Sequence, residues 1–320
     1  MQRRNSMMLE RLIVAVLVAA VTFLCFEPRC IGAESPEAKF DLLRVGFLGK
    51  FLNDVSYADA QAALEIWIRE FTKSRSLDVR SKPYILDDVD AMFNALKNKQ
   101  IDVVGITPMD FIALRDRFPL EPALVALRRG ALYGEQLEIV VRRDQNITGL
   151  SQLRGKRLLI HAGYMYDAEI LWLSEQLYRK HLPDKDRFFS SVKEAKKVSQ
   201  TVLPVFFKQA DAALVSKGAF ETMVDLNPQI GKELVTLDVS DRLLYGLFCF
   251  NKTLSADVKS MVIRNALNMH LTPAGKQILS LFQIDKVIEY NPRMLDTSLT
   301  LVSSANRHSG KETAHKRATQ

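Results

Sequence analysis

Short apolar runs alternate with amphipathic stretches along the chain from about residue 42. Residues 42–47 are mostly apolar and predict a strand, and residues 57–71 repeat apolar side chains at helical spacing. A predicted strand at 78–85, a helix over 89–96 and a strand at 102–106 follow. Strands that alternate with helices are typical of βαβ units, so this pattern predicts an α/β fold with a largely parallel sheet.

A second set of elements follows with nearly the same layout. Its predicted strands lie at 137–141, 157–160, 188–190 and 212–215, and its predicted helices lie at 167–180 and 198–207. Gln100-Ile101-Asp102 is echoed by Gln209-Ala210-Asp211, and Thr107 and Ser216 each follow the aspartate by five residues. This repeated pattern favours two lobes with the same arrangement of elements. The alternative is a chance similarity between βαβ segments.

The remaining elements suggest that the chain returns to its first lobe. Residues 243–250 predict a strand, Ser255 precedes a helical pattern, and Thr272-Pro273 starts another helix with proline at its first position. We therefore expect a first lobe over 42–137 that resumes at 243–290, and a second lobe over 138–242. Crossings near 137–140 and 241–245 would form a two-stranded hinge that allows the lobes to close on a ligand.

The N-terminus has the layout of a secretory signal peptide. Arg3, Arg4 and Arg11 come first, residues 12–26 form an apolar run, and Ala33 ends a plausible cleavage site. We predict a signal peptide over 1–33 and a periplasmic or extracytoplasmic location. An uncleaved membrane anchor over residues 12–26 is the alternative, although this run is short for a bilayer span.

The formal net charge of +7 says little about the folded part. Residues 1–33 carry a net +2 and residues 306–320 a net +3, which leaves +2 for the segment between them. The sequence shows no basic stripe with interleaved aromatic residues, so we expect no nucleic-acid partner. The polar tail at 305–320 has no aromatic residue and is predicted to be disordered.

Catalytic and metal-binding patterns are missing from the sequence. Cys249 is the one cysteine after residue 33, and the five histidines are scattered without the spacing of a metal site. No nucleophile elbow, phosphate-binding glycine loop or zinc-protease motif is present. We therefore predict a non-enzymatic protein with no cofactor and no metal.

Four segments resemble one known family. They are Arg44-Val45-Gly46, the run Ile-Asp-Val-Val-Gly-Ile-Thr-Pro at 101–108, the run Leu-Ser-Gln-Leu-Arg-Gly-Lys-Arg at 150–157, and Ala-Asp-Ala-Ala at 210–213. In order and spacing they are similar to phosphate/phosphonate-type periplasmic substrate-binding proteins of ABC importers. The resemblance implies the two-lobed, type II periplasmic binding-protein fold. It also implies an oxyanion bound against helix N-termini, where backbone N–H groups favour negative charge.

One loop departs from that family pattern. The resemblance implies hydroxyl side chains after the first strand of the second lobe, but residues 161–167 read His-Ala-Gly-Tyr-Met-Tyr-Asp. The two tyrosines suggest a ligand with an apolar or ring-like part, or a cation over the ring faces.

The candidate ligand-binding residues lie at the carboxyl ends of predicted strands, where open α/β sheets bind ligands. They are Phe47, Tyr57, Thr107, Tyr164, Tyr166, Asp167 and Ser216. Each has a simpler alternative: Thr107, Asp167 and Ser216 as helix caps, the tyrosines as surface residues and Phe47 as core.

These features favour an exported protein that captures a small solute and delivers it to an ABC transporter permease. The first alternative is a periplasmic partner of a membrane sensor. The second is an enzyme on the same scaffold, with His161 and a carboxylate as acid and base.

Overall fold

Two β-sheets, each with a hydrophobic core on both faces, form the part of the chain that the computed structural model describes. The described residues are 43–52, 56–73, 83–128 and 133–305, and all belong to the unit Lys39–Gln320. The predicted signal peptide at 1–33, the start of the strand predicted at 78–85 and residues 306–320 lie outside them. Within these ranges, no helix is both long and apolar enough to cross a membrane.

The strands begin and end close to most of the predicted positions. They are β1 (Val45–Leu48), β2 (Pro83–Leu86), β3 (Val103–Ile106), β4 (Leu120–Leu127), β5 (Gly134–Glu135), β6 (Leu137–Arg142), β7 (Arg157–His161), β8 (Ser191–Ala195), β9 (Ala212–Ser216), β10 (Leu234–Val239), β11 (Leu243–Leu244), β12 (Leu247–Asn251) and β13 (Lys286–Glu289).

The helices lie between these strands, except that the last helix follows β13. They are α1 (Tyr57–Lys73), α2 (Val89–Lys97), α3 (Pro108–Arg115), α4 (Tyr166–Arg179), α5 (Lys185–Phe188), α6 (Val198–Phe206), α7 (Lys217–Leu226), α8 (Pro228–Glu233), α9 (Ala256–Asn268), α10 (Pro273–Leu281) and α11 (296–305). The 3-10 turns Gly49–Leu52 and Leu150–Leu153 follow β1 and precede β7.

Each lobe has its own sheet. The first has the order β13-β4-β12-β3-β1-β2, with β1 parallel to β2 and β3 and with β12 antiparallel to β3. The second has the order β10-β6-β9-β7-β8, with β7 parallel to β8 and β9 and with β6 antiparallel to β9. The predicted α/β fold with two lobes, each a mostly parallel sheet flanked by helices, is therefore confirmed.

The apolar strands are buried on both faces, as parallel sheets between helices require. Along β6, Ile139 and Val141 belong to one core cluster while Val140 belongs to the cluster on the opposite face. Along β3, Val103 and Val104 divide between two clusters in the same way. This alternation gives each lobe its own double core.

An Arg–Asp pair closes the start of each lobe in the same manner. Asp102 accepts hydrogen bonds from the backbone N and Nε of Arg44, at 3.0 and 2.7 Å. Asp211 accepts the equivalent bonds from Arg157, at 2.8 and 2.9 Å. Asp102 and Asp211 are the two aspartates at equivalent positions of the repeated sequence pattern. The pattern therefore reflects the same interaction in each lobe, in which the aspartate binds the arginine at the start of the neighbouring strand, β1 or β7.

The hinge is a short antiparallel pair, β5 with β11. Gly134 lies so close to its partner strand that a Cβ atom there would be 2.2 Å from the carbonyl oxygen of Leu243. The first crossing between the lobes was predicted at 137–140, but these residues belong to strand β6 of the second sheet. The crossing lies earlier, at Gly134–Glu135. The predicted strand at 243–250 is two strands, since β11 pairs in the hinge and β12 in the first sheet.

Other elements differ from the sequence prediction or were missed by it. The strand predicted at 188–190 is wrong: Asp184 caps α5 by accepting from the backbone N–H groups of Asp186 and Arg187, and Phe188 ends that helix. Strands β4, β10 and β13 were not predicted, because they lie at sheet positions that only tertiary pairing determines.

Helix α11 contacts both lobes. Leu295, directly before it, packs in the first lobe's core, whereas Leu301 packs in the second lobe's core. Ser304 Oγ donates a hydrogen bond to Glu175 on α4, at 2.6 Å. The C-terminal helix is thus a third connection between the lobes.

Candidate functional site

The carboxyl ends of parallel strands in the two lobes come together where the lobes face each other, because Lys50 after β1 contacts Asp167 after β7. Lys50 follows β1, Thr107 follows β3 and caps α3, and Asp167 lies in the first turn of α4 after β7. Ligands in open α/β sheets bind at this edge. The candidate functional site is therefore the cluster of Lys50, Thr107, Asp110 and Asp167, which we call the cleft cluster.

Lys50 joins the two lobes. Its Nζ lies 2.7 Å from Oδ1 of Asp110 in the first lobe and 2.6 Å from Oδ2 of Asp167 in the second. The Asp110 side chain is almost fully buried, whereas those of Lys50 and Asp167 are 35% and 48% exposed. One ammonium group thus lies between one buried and one exposed carboxylate.

Thr107 binds the buried carboxylate from the other side. Its Oγ1 donates to Oδ2 of Asp110 at 2.6 Å and accepts from the backbone N–H of the same residue at 3.2 Å. The predicted helix cap at Thr107 is therefore present, and it also positions Asp110 in the cleft. Capping and participation in the site coincide in this residue.

The charges of the cleft cluster are strongly coupled. Burial raises the pKa of Asp110, although hydrogen bonds from Lys50 and Thr107 act in the opposite direction. Burial lowers the pKa of Lys50, but its bonds to Asp110 and Asp167 outweigh this effect and raise the pKa overall. Lys50 therefore stays charged and is the counter-ion of the buried Asp110 carboxyl group.

An aromatic stack lies beside the hinge. Tyr164 is stacked on Tyr245 with ring centroids 5.9 Å apart, and the Arg128 guanidinium lies 5.4 and 5.1 Å from the two centroids. Burial raises the pKa of the Tyr164 hydroxyl well above its ordinary value. Tyr245 donates to Glu135 at 3.2 Å, so the stack packs directly on hinge strand β5.

The other predicted site residues are more dispersed. Tyr166 donates its hydroxyl to Glu194 at the end of β8, and burial together with this carboxylate raises its pKa to about 12. Ser216 occupies the N-cap position of α7, is 7% exposed and makes no side-chain capping bond.

Two predicted aromatic residues lie away from the cleft cluster's contacts. Phe47 is buried in the first lobe's core, where its ring meets Phe248 edge to face at 6.5 Å. Tyr57 is the first residue of α1 and is 57% exposed. Phe47 therefore has the core role named as its alternative.

The loop from His161 to Asp167 is tightly packed. A Cβ atom on Gly163 would lie 2.6 Å from Cε1 of the His161 ring, so only glycine fits that position without movement. Glu169, one turn into α4, is fully buried, and its carboxyl oxygens have no hydrogen-bond partner among the described residues. Burial raises the pKa of Glu169 well above its ordinary value.

Sequence reasoning missed Lys50, Asp110 and Arg128 as site residues. The spacing Thr107-x-x-Asp110 is a capping signal, which placed a carboxylate at the start of α3, but nothing local identifies Lys50 as its partner 60 positions away. Within the described ranges, no group of three or more His, Cys, Asp or Glu residues is arranged to hold a metal ion.

A comparison with protein families identifies one match. A family model described as "ABC transporter, phosphonate, periplasmic substrate-binding protein" matches residues 56–295, which is most of the chain. No curated protein sequence matches this chain significantly.

Solved structures share the fold at low sequence identity. XAC2383 from Xanthomonas citri, bound to ATP, is 16% identical with a TM-score of 0.66, over 84% of this chain and 98% of that one. PhnD1 from Prochlorococcus marinus, in complex with methylphosphonate, is 15% identical with a TM-score of 0.58, over 83% and 98%. A binding protein of an ABC phosphonate transporter from Pseudomonas aeruginosa is 11% identical with a TM-score of 0.57, over 87% and 99%.

Proposed function

The chain belongs to the family of periplasmic substrate-binding proteins of ABC phosphonate transporters, and on that premise we propose that it captures one small solute between its lobes and delivers it to an ABC importer. Members of this family act outside the cytoplasm and bind solutes without converting them. We propose that residues 1–33 direct export. We also propose that 42–137 with 243–290 and 138–242 form the two lobes, except that Leu137 belongs to the second lobe because β6 begins there.

One observation carries this proposal: Lys50 connects the carboxyl edges of both sheets through Asp110 and Asp167. The Lys50–Asp110 and Lys50–Asp167 distances can both be short only when the lobes are closed. The contacts of Lys50 therefore depend on the separation of the lobes. The cleft cluster is therefore placed where a bound solute would couple to closure. The β5–β11 pair supplies the axis about which the lobes turn.

The proposed roles of the site residues follow from their positions. Thr107 and Asp167 contact the solute directly or through Lys50, Ser216 offers a hydroxyl at the start of α7, and Tyr166 borders the cleft. We propose that the Tyr164 stack supports the hinge side of the cleft. Phe47 and Tyr57 act through packing or at the cleft entrance.

The proposal is tested by small-angle scattering and thermal shift with a panel of small phosphonates, sulfonates and phosphate. At least one solute is expected to raise the melting temperature and reduce the radius of gyration of the protein. If no solute in a broad metabolite panel changes either quantity, capture by closure is refuted.

A matched pair of cap variants separates binding from stability. Thr107→Ala and Asp88→Ala each remove the side chain that caps a helix of the first lobe, but only Thr107 contacts Asp110. Both variants should lose about 1 kcal/mol of stability. Only Thr107→Ala should also weaken solute binding, and equal affinities in the two variants would place the solute elsewhere.

A further inference from the structure

The second lobe has a cavity of about 390 Å³ between helix α7 and the edge strand β10. Its apolar walls include Phe220 and Val224 on α7 and Leu234 on β10, which belong to or pack against one core cluster. Small-molecule sites commonly have volumes of about 300–1,000 Å³ and mostly apolar walls with a few polar groups. The residues that line this cavity do not include any member of the cleft cluster, so it is a second place where a ligand could lie.

Glu138 presents a buried carboxyl group to this cavity. Side chains alternate along β6, so Glu138 lies on the same face as Val140, which packs in the cluster below α7, and not on the face of Ile139. Glu138 is 2% exposed, and its Oε2 accepts a hydrogen bond from Oγ1 of Thr236 at 2.9 Å. Its Oε1 is buried and has no hydrogen-bond partner among the described residues. A buried oxygen without a partner is costly, and the cavity that Glu138 lines is the space from which a partner can reach it.

The charges around the cavity favour a cation as that partner. Glu221 and Asp225 are exposed carboxylates one turn apart on α7, and together with Glu138 they outnumber Lys217 and Arg143. Nε of Arg143 already donates to a backbone carbonyl of α8. In the described part of the chain, Lys217 acts on Glu138 through its charge alone and makes no hydrogen bond to it. An ionised carboxylate can only accept hydrogen bonds, and an ammonium group can only donate them, so the two are complementary.

We propose that this cavity is a second binding site, for a small organic ammonium ion with an apolar body, in which an N–H group of the ligand donates to Oε1 of Glu138. The apolar body packs against Phe220, Val224 and Leu234. The two exposed carboxylates of α7 attract the cation to the cavity. The site shares no residue with the cleft cluster, so it goes beyond the proposed capture of a solute between the lobes.

Binding at this site should depend on pH. Burial is the main cause that raises the pKa of Glu138 to about 7, and a proton on this carboxyl group competes with the ammonium ion of the ligand. The cation should therefore bind more tightly as the pH rises, by about tenfold between pH 6 and pH 8. The other charged groups that face Glu138 or line the cavity are Lys217, Glu221, Glu135, Arg143 and Asp225. All five remain in a Glu138→Gln variant, so that variant measures their share of the pH dependence.

Calorimetric titration of the whole chain with benzylammonium tests the site, because this probe joins an ammonium group to a ring that suits the apolar walls. At pH 8, benzylammonium should bind the wild type at least about tenfold more tightly than Glu138→Gln. The glutamine keeps the hydrogen bond from Thr236 and places an NH₂ group, which cannot accept, in the position of Oε1. The variant should also lose the rise in affinity between pH 6 and pH 8.

Two kinds of control make the result specific. Glu221→Gln removes the same charge from an exposed position at the same cavity, and it should weaken benzylammonium binding by less than about threefold. Benzyl alcohol keeps the ring without the charge, and its affinity should be similar in the wild type and in Glu138→Gln. Benzoate carries an anion on the same ring, and it should bind the wild type more weakly than benzylammonium at pH 8.

Several outcomes would overturn the site. They are no binding of benzylammonium to the wild type at pH 8, equal affinity in the wild type and Glu138→Gln, and an equal loss of affinity in Glu221→Gln. Tighter binding of benzoate, or an affinity for benzylammonium that falls as the pH rises, overturns the cation as the ligand. The pH dependence of the wild type needs no variant, so it tests the site even if Glu138→Gln does not fold. None of these results depends on closure of the lobes around a solute in the cleft.

Discussion

Glu138→Gln is expected to stabilise the protein at neutral and higher pH. Glu138 lies on β6, is 2% exposed, and accepts one hydrogen bond, from Oγ1 of Thr236 at 2.9 Å. Its Oε1 is buried and has no hydrogen-bond partner in the described part of the chain. A glutamine retains the bond from Thr236 and carries no charge to bury.

The size of the effect follows from the pKa. Burial is the main cause that raises the pKa of Glu138 from 4.5 to about 7, with Thr236 and Lys217 opposing it and Glu221 adding to it. Between these values the folded protein holds a proton that the unfolded chain has released, so wild-type stability falls as the pH rises. The lost stability amounts to about 3 kcal/mol at pH 7 and above, and to almost nothing below pH 4.5.

Denaturant unfolding of wild type and Glu138→Gln between pH 4 and pH 8, followed by circular dichroism, measures this difference. The variant should gain about 3 kcal/mol over the wild type by pH 7. Glu221→Gln is the matched control, because Glu221 is an exposed carboxylate next to the same site, and it should change little with pH. A constant difference between Glu138→Gln and wild type across the range would refute the reasoning.

The remaining predictions concern the cleft, the hinge and the core thiol. Lys50→Ala should lower the free energy of unfolding by about 3 kcal/mol, because Asp110 loses its counter-ion, whereas Asp167→Asn should cost under about 1 kcal/mol in the same unfolding assay. Gly134→Ala forces the hinge strands apart, since its Cβ would lie 2.2 Å from a backbone oxygen, and calorimetry should show a melting temperature lower by several degrees. Cys249 is buried and burial raises its thiol pKa, so an aromatic disulfide reagent should label it only after denaturant is added.

The fold was largely readable from the sequence because its signals are local. Helix caps such as Asp88 and Thr272, and apolar runs such as β9, depend on residues within one element. The echo between Asp102 and Asp211 was also readable, and the structure gives its cause in the two Arg–Asp pairs. Competing local signals explain the error at Phe188, where a capped turn of helix ends on aromatic residues.

The site was only partly readable because its chemistry depends on long-range pairing. Thr107 and Asp167 were identified from strand ends, and both lie in the cleft cluster. Lys50 and Asp110 acquire their roles from each other, across 60 positions of sequence and a sheet edge. Tyr164 was identified as a loop residue, but its burial on Tyr245 follows from hinge packing that no local pattern contains.

Helix α11 has a practical consequence for measuring closure. The C-terminal end of α11 lies beside Glu175 of the second lobe, which Ser304 contacts, although the strands before it, β12 and β13, belong to the first lobe. A fluorophore attached at this end therefore reports the position of the second lobe. A second dye on the exposed first turn of α1 would complete the pair, and the distance between the two dyes would then report closure of the lobes. Neither label lies on the hinge strands.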